Sequence, residues 1–395
     1  MAERWTRAFG RYLRLLRERR GLSLQDVASL SQPFADRVNK GYLSRCENGL
    51  VRLALSKVPT LSHIYKIPVD ALLERIELDT ELEKVGAPET EAMSLLELRE
   101  AGRRAFNRGH RWKAYGFLRD AVSRSLAGPV ASQYRDRSEQ VAGASVASAT
   151  AIIGLGKLRL ALHECLEVEE AGQLGPAFRP LLLERLSVTY RNVGDLVRAK
   201  TYADRAISAA EIPAGRDYHG YALSARALVA HFERDLELAA RLFREAHGVF
   251  KDSQLLPESA RALNNLAQVY YDQGRYRSAR LALAASESTL KPSMGHERHR
   301  ALGRILLGEI EAAEQHGQAA VSSWKEAAAI ARRLNDKTLQ FKAEYHLLRQ
   351  AFEVGNTPVL RSIQRRLSRL ANYVPENTPE LTDFRALTSR LHRVS

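Results

Sequence analysis

Two cationic side chains, Lys40 and Arg45, lie five positions apart in a segment that has the pattern of a short helix. Asn39 is a good N-cap, and an Asn-Gly pair after Glu47 is a typical helix end, so we predict a helix from Lys40 to about Glu47. Its outer face would carry Lys40, Tyr42, Ser44 and Arg45. Lys and Arg hydrogen-bond well to guanine O6 and N7, and a short helix with a cationic outer face fits the major groove of DNA.

Two earlier helices are predicted to hold this segment in place. A first helix over residues 6–20 is indicated by apolar residues at helical spacing, namely Phe9, Leu13 and Leu16. Gly21 follows it directly, where a helix end favours a left-handed residue. Ser23, with Asp26 three positions later, is typical of the N-cap of a second short helix over residues 24–30.

In this order the segments resemble the Cro/C1-type (XRE family) helix-turn-helix. Residues 56–65 are similar to the fourth helix of that family and residues 67–73 to the fifth. The resemblance covers roughly residues 6–77 and implies a five-helix DNA-binding domain over residues 1–77.

The sequence departs from the family pattern in one place. About nine residues usually separate the alanine of the second helix from the aromatic residue of the third, whereas Ala28 and Tyr42 lie 14 positions apart. The extra residues, around 31–37, include a proline and polar side chains that suit a surface loop. We therefore expect a lengthened turn, which leaves the angle between the two helices open.

The resemblance also implies which residues contact DNA. Members of the family read bases with the first, second and sixth residues of the third helix, here Lys40, Gly41 and Arg45, although Gly41 has no side chain to read with. The alternative for Arg45 is a solvated helix charge. Contacts to phosphate are expected from Ser23, Gln25, Tyr42 and Ser44, and Asn39 completes the predicted DNA-binding set. Glu47 is expected instead to tie the third helix to the rest of the domain.

Positive charge is concentrated near the N-terminus. Residues 1–76 contain 14 Lys and Arg against 7 Asp and Glu, a net charge of +7, whereas the whole chain of 395 residues carries +14. Such a field favours phosphate and speeds encounter with DNA at low salt. The alternative is a chain that is simply rich in arginine throughout.

From about residue 91 the pattern is helical, and a motif of small residues recurs. Its marker positions are Ala114, Ala161, Ala199, Ala239, Ala279, Ala320 and Leu360. Successive markers lie 47, 38, 40, 40, 41 and 40 residues apart. A steady period near 40, with two helices and a turn in each unit, predicts an α-solenoid of about seven repeats. The predicted fold class is therefore all-α.

The repeats resemble tetratricopeptide (TPR) repeats. Ala267, Tyr270, Gly274 and Ala279 occupy that family's characteristic offsets. A period of 40 is longer than the usual 34, and HEAT-like packing is the structural alternative. We assign residues 94–395 to the TPR-like solenoid, which would bind a partner or ligand and dimerise. The acidic stretch 78–93 is predicted to be a linker that can begin with a short helical segment.

The resemblance to TPR repeats implies a concave groove lined by the first helix of each repeat. The predicted effector-groove residues are Arg191, Asn192, His231, Asn264, Gln268, Tyr271, Tyr345 and Arg349. Asn and Arg in such positions can clamp the backbone and carboxylate of an extended peptide. The alternative for Asn264 is a structural bond between the helices of adjacent repeats.

The sequence offers little that would support catalysis. Cys46 and Cys165 are far apart and indicate neither a disulfide framework nor a zinc site. The segment 154–157 lacks the spacing of a phosphate-binding loop, and His296 and His299, two histidines three positions apart, do not by themselves indicate a metal site. We therefore predict no enzyme activity, no metal and no cofactor. We also see no signal peptide and no membrane span, and expect a cytoplasmic protein.

A Cro/C1-type head followed by TPR-like repeats resembles the peptide-responsive regulators of bacterial quorum sensing. That resemblance implies a homodimer, a double-stranded DNA operator, and a peptide or protein effector in the groove. It also implies location in the bacterial cytoplasm, on the nucleoid when DNA is bound. One alternative is a TPR interaction scaffold with a weak or nonspecific DNA-binding head. Another is an enzyme with an unrecognised site.

Overall fold

The computed structural model describes residues 4–127, 134–172, 174–212, 216, 218–290, 296–374 and 378–394. Within these ranges all regular structure is helical, and the prediction of an all-α fold is confirmed. The chain forms two compact units. The first contains residues 1–106 and 111–189, and the second contains residues 107–110 and 190–395.

The first unit begins with the five helices predicted for the head. They are α1 (Arg4–Arg19), α2 (Leu24–Leu30), α3 (Lys40–Glu47), α4 (Val58–Tyr65, preceded by a 3-10 turn at Leu55–Lys57) and α5 (Val69–Val85). Four further helices complete this unit: α6 (Leu95–Asn107), α7 (Arg111–Ala127), α8 (Tyr134–Gly154) and α9 (Leu158–Ala171). α10 (Arg179–Asn192) begins in the first unit and ends in the second.

The second unit continues the alternation of paired helices. Its helices are α11 (Leu196–Glu211), α12 (His219–Phe232), α13 (Leu236–Asp252), α14 (Leu256–Asp272), α15 (Tyr276–Thr289), α16 (Glu297–Ala313), α17 (Gly317–Arg333), α18 (Lys337–Glu353), α19 (Thr357–Leu370) and α20 (Pro379–Val394). Within this unit the first helices of consecutive repeats also contact each other, α14 with α16 and α16 with α18.

The predicted period is confirmed by the positions of the marker residues. Each marker is the fourth residue of the second helix of a pair: α7, α9, α11, α13, α15, α17 and α19. The six alanines are fully buried, and Leu360 is 9% exposed. A side chain of one carbon at these positions lets the two helices of a pair approach closely, so the spacing of small residues in the sequence marks the helix contacts.

The turns between paired helices share a local design. The residue at the tight bend has a positive φ, as at Gly274 (71°), where glycine has no steric cost. Asp195 and Asp235 then cap the following helices by accepting hydrogen bonds from the backbone N–H of Arg198 and Leu238. These short-range bonds end one helix and begin the next within a few residues.

The structure shortens the linker predicted at residues 78–93, because only residues 86–93 lie outside the helices. Residues 78–85 belong to α5, and Leu78, Asp79 and Leu82 are buried. The acidic composition suggested solvated chain, but the two leucines lie on one face of the helix and reach the core of the first unit. The head and the first repeats are therefore joined by a helix over these residues.

Asp79 is a fully buried carboxylate in the first unit. It accepts hydrogen bonds from Arg75 (2.8 Å), Arg119 (3.2 Å) and the hydroxyl of Tyr115 (3.0 Å). Burial by itself raises the pKa of Asp79, but the charges of Arg75 and Arg119 outweigh it and hold the pKa below its ordinary range. Arg119 lies on α7, so this ionic cluster fastens α5 to the first repeat.

We expect Asp79→Asn to lower the free energy of unfolding by about 3–5 kcal/mol, because it leaves Arg75 without its carboxylate and Arg119 with Asp120 alone. Since the pKa of Asp79 is lower in the folded state, its contribution is present at neutral pH and is lost as the pH falls through that folded-state pKa. Urea unfolding followed by circular dichroism at neutral and acidic pH measures both effects.

The matched control is Glu81→Gln on the same helix, where the carboxylate pairs with Lys84 at 2.6 Å in an exposed position. An exposed pair contributes roughly 0–1 kcal/mol, so this variant should unfold close to the unmodified protein. Equal stabilities of the two variants would contradict the role of Asp79.

Candidate functional site

The third helix has the ends that its sequence predicts. The side chain of Asn39 accepts a hydrogen bond from the backbone N–H of Tyr42 at 2.7 Å, and Gly49 ends the helix with a φ of 70°. Lys40, Gly41 and Arg45 are exposed. The structure therefore places the three predicted base-reading positions on the solvent face of α3.

The predicted capping box at the start of α2 is present. The hydroxyl of Ser23 accepts from the N–H of Asp26 (3.1 Å), and the carboxylate of Asp26 accepts from the N–H of Ser23 (2.7 Å). These bonds hold the pKa of Asp26 below its ordinary range. Ser23 and Gln25 are exposed at the N-terminus of α2, where helix N–H groups favour phosphate.

Ser31 closes the base of the lengthened turn between α2 and α3. It is fully buried, and its hydroxyl accepts from the N–H of Val38 (3.0 Å) and lies 2.8 Å from the carbonyl oxygen of Ala28, to which it donates. Residues 32–37 therefore loop outward while their two ends stay together. The insertion is accommodated outside the contact between the two helices.

The inserted loop is anchored to the start of α4. Asp36 pairs with Lys57 at 3.3 Å, and its carbonyl oxygen accepts from the hydroxyl of Thr60 at 3.1 Å. Arg37, two residues before the N-cap of α3, is exposed. Arg37 is not among the DNA contacts predicted from the sequence, although a cation directly before a capped helix is a recognisable signal for phosphate binding.

Tyr42 differs from its predicted role. Its hydroxyl accepts from the N–H of Ala54 at 2.7 Å and lies 3.3 Å from the carbonyl oxygen of Arg52, to which it donates. The proton that was expected to bond to phosphate is thus used within the protein. Tyr42 holds the segment 52–54 against α3, whereas Ser44 is half-buried on the same helix.

Glu47 ties α3 to α1, in agreement with the sequence analysis. Its buried carboxylate accepts two hydrogen bonds from Arg17, at 2.7 and 2.8 Å, and lies 3.4 Å from Nε of Arg14. Arg14 also donates to the side-chain oxygen of Asn48 at 3.0 Å. A two-bonded Arg–carboxylate pair fixes orientation as well as distance, so these contacts set how α3 is presented.

The two helices also meet closely at Gly10. A Cβ atom at this position would lie 2.3 Å from the carbonyl oxygen of Cys46 and 2.6 Å from that of Glu47. Only glycine permits this approach of α1 to the end of α3.

The predicted groove residues of the second unit form part of a polar network. Nε2 of His231 lies 2.6 Å from Asp272, and Gln268 donates to the same carboxylate at 3.1 Å. Burial raises the pKa of Asp272, but the hydrogen bonds from His231 and Gln268 outweigh it and hold the pKa below its ordinary range. Tyr271 lies against Tyr276, with ring centroids 5.7 Å apart. The structure therefore brings His231 and Gln268 together at Asp272, whereas Tyr271 packs against Tyr276 of α15.

The other predicted groove residues have different surroundings. Arg191 donates to the side chain of Asn192 at 2.8 Å, and Arg349 is exposed, 3.7 Å from Glu353. Asn264 donates to the carbonyl oxygen of His299 at 3.0 Å, which is the structural bond between adjacent repeats that the alternative interpretation describes.

Tyr345 does not line an open groove. It is 6% exposed and packs in the hydrophobic core of α18, α19 and α20, so the structure contradicts its predicted position. Its helix is buried on more than one side because the terminal helix α20 also contacts it.

Among the described residues no group of three or more His, Cys, Asp or Glu side chains is placed to hold a metal ion. In the same part of the chain, no helix has the length and apolar character needed to cross a bilayer.

Comparison with known proteins identifies the head. The family model described as "Helix-turn-helix domain" matches residues 8–76, which confirms the helix-turn-helix resemblance for that part of the chain. A comparison with curated proteins finds no match.

Several solved structures are similar at low identity. Bacillus thuringiensis PlcR, in complex with the peptide PapR7 and DNA, is 10% identical, with 75% of this chain and 99% of that chain covered and a TM-score of 0.45. Aspartyl phosphate phosphatase F from Bacillus subtilis is 13% identical, with 94% of each chain covered and a TM-score of 0.49. The apo form of RapI is 14% identical, with coverages of 74% and 80% and a TM-score of 0.49.

We expect Gly10→Ala to destabilise the first unit by about 1–3 kcal/mol, because the added carbon would overlap backbone oxygens that cannot move away without shifting α3. Gly41→Ala is the matched control, since its Cβ would meet only the side chain of Asn39 at 3.7 Å. Alanine has the higher helix propensity, so the control should be unchanged or more stable by up to about 1 kcal/mol. Urea unfolding measures both, and equal losses would contradict the close approach.

Proposed function

We propose that this protein is a sequence-specific DNA-binding transcriptional regulator of the bacterial cytoplasm. The observation that carries the proposal is the exposed face of α3, with Lys40 and Arg45, on a helix that buried Glu47 holds against α1. A rigidly held cationic helix with a capped N-terminus is what major-groove reading requires.

The contacts divide into two classes. Lys40 and Arg45 read base edges, with guanine as the preferred partner of each. The groups that position the protein on phosphate are Ser23, Gln25, Asn39, Ser44 and Arg37, of which the last replaces Tyr42 in the set expected from sequence. Phosphate contacts fix register without reading sequence, so the two classes have different signatures in binding experiments.

The repeats are proposed to control the head. His231, Gln268 and Tyr271 offer hydrogen-bonding groups and an aromatic surface on neighbouring first helices of the second unit, as an extended peptide or protein effector requires. We further propose a homodimer, because helix-turn-helix proteins commonly read two half-sites about one helical turn apart.

One feature favours a second candidate function. Gly41 occupies a base-reading position but has only a hydrogen as its side chain, so one contact of the usual set is missing. The alternative is therefore a TPR-like interaction scaffold whose head binds DNA weakly and without sequence preference.

We expect selection from random duplex DNA to enrich a motif, with two-fold symmetry if the protein binds as a dimer. Lys40→Ala with Arg45→Ala should abolish the enrichment, because each good base contact discriminates by about 1–3 kcal/mol. Arg37→Ala should instead weaken binding to all sequences alike and reduce the salt slope by roughly one. Enrichment followed by affinity measurements at two salt concentrations separates these effects.

The control changes one Arg and one Lys that are exposed on repeat helices, Arg103→Ala with Lys325→Ala. It removes the same net charge and should retain the motif and nearly the same affinity. Binding without enrichment, weakened equally by both double variants, would contradict sequence-specific recognition and favour the scaffold.

A further inference from the structure

A cavity of about 260 Å³ lies inside the first unit, with residues of α1, α5, α7, α8 and α9 around it. It is separate from the exposed face of α3 and from the polar network of the second unit. Ligand pockets commonly measure roughly 300–1,000 Å³, so a space of this size suits a small molecule and not a folded partner.

Most charged groups around this cavity are paired with each other. Arg75 and Arg119 bind Asp79, and Arg119 also pairs with Asp120 at 2.9 Å. The carboxylate of Glu164 accepts hydrogen bonds from the hydroxyl of Tyr12 at 2.7 Å and from Arg19 at 3.3 Å. These groups already have partners.

Arg11 is the exception. Among the described residues it has no hydrogen bond or ion pair at contact distance; the residue is exposed, and its guanidinium is only partly covered. Burial lowers its pKa, and the neighbouring charges of Arg119 and Arg75 lower it further, while Asp120 and Asp79 act in the opposite direction. An anion placed beside Arg11 would stabilise its charged form.

The remaining wall offers one unsatisfied hydroxyl and an apolar surface. Ser145 is 2% exposed, and its hydroxyl has no hydrogen-bond partner in the described part of the chain. Leu15, Val122 and Ile152 line the same space. A buried hydroxyl without a partner is costly, so a ligand that bonds to it would remove a penalty.

We propose that this cavity binds a small organic carboxylate. Its carboxylate pairs with Arg11, an oxygen bonds to the hydroxyl of Ser145, and its apolar body packs against Leu15, Val122 and Ile152. The combination of one unpaired cation with an apolar wall selects an amphipathic anion over an inorganic ion or a neutral molecule.

The position of the cavity also connects it to α3. Arg14 lines the cavity and bonds to Asn48 and Glu47 at the end of that helix, 3.0 and 3.4 Å away. A carboxylate beside Arg11 attracts Arg14 as well and competes with those two contacts. We infer that occupancy of the cavity changes the affinity of the head for DNA, an inference that rests on the proposed function.

Calorimetry with the full chain tests the binding step. Octanoate is the probe, with octanol as its uncharged counterpart and inorganic phosphate as a charge without an apolar body. We expect octanoate to bind at least tenfold more tightly than either. Arg11→Gln should weaken octanoate binding at least tenfold, and the charge-matched Arg103→Gln, which lies outside the cavity lining, should leave it unchanged.

A second variant tests octanoate binding by filling the cavity, without a change of charge. Ser123 lines the cavity and is partly exposed, so Ser123→Leu should fill the space without removing a charged group. It should block octanoate while circular dichroism shows an unaltered fold. Absence of octanoate binding to the unmodified protein, equal binding to Arg11→Gln, or equal affinity for phosphate would each overturn the proposal.

The affinity for the selected DNA motif, measured with and without saturating octanoate, tests the coupling. We expect at least a threefold change that is lost in Arg11→Gln. If the protein binds the motif with the same affinity with and without octanoate, the coupling is overturned and the regulator proposal is unaffected. Failure to select any motif without octanoate would overturn the regulator proposal, while calorimetry would still report on the cavity.

Discussion

The packing of the first unit depends on one carboxylate that has no exposed surface, that of Asp79. Asp79 can remain ionised there only because Arg75, one turn earlier on α5, and Arg119 on α7 surround it, with the hydroxyl of Tyr115 as a third donor. These partners come from the last helix of the head and from the first repeat, so the ionic cluster fastens α5 to α7. The helix-turn-helix and the first repeats therefore share one hydrophobic core, which also includes Leu78 and Leu82.

The first helix, α1, bonds both to α3 of the head and to α9 of the repeats. Toward α3 it presents Arg17, which binds the buried Glu47, and Gly10, which lets the backbones meet. Toward α9 it presents Tyr12 and Arg19, both bonded to Glu164. Because α3 and α9 both bond to α1, a change in the packing of the repeats against α1 can also affect the position of α3.

Several features of the fold were predictable because their causes are local. Asn39, Ser23 and Asp26 were identified as caps from spacing alone, since each bonds to backbone three residues away. The period of small residues predicted the repeat helices for a similar reason. The length of α5 was underestimated because its acidic residues resemble a solvated linker, and nothing near Asp79 in sequence reveals that Arg119, 40 positions later, will neutralise it.

The sequence by itself thus determined the helical class, the repeat period, the caps of α2 and α3, and the cationic outer face of α3. These follow from hydrogen bonds and side-chain spacing within about one helical turn. Only the tertiary structure decided that the proton of the Tyr42 hydroxyl is used internally, that Tyr345 is buried, and that Arg11 faces a cavity unpaired. Each depends on which distant segments become neighbours, because burial and ion pairing are properties of the packed chain.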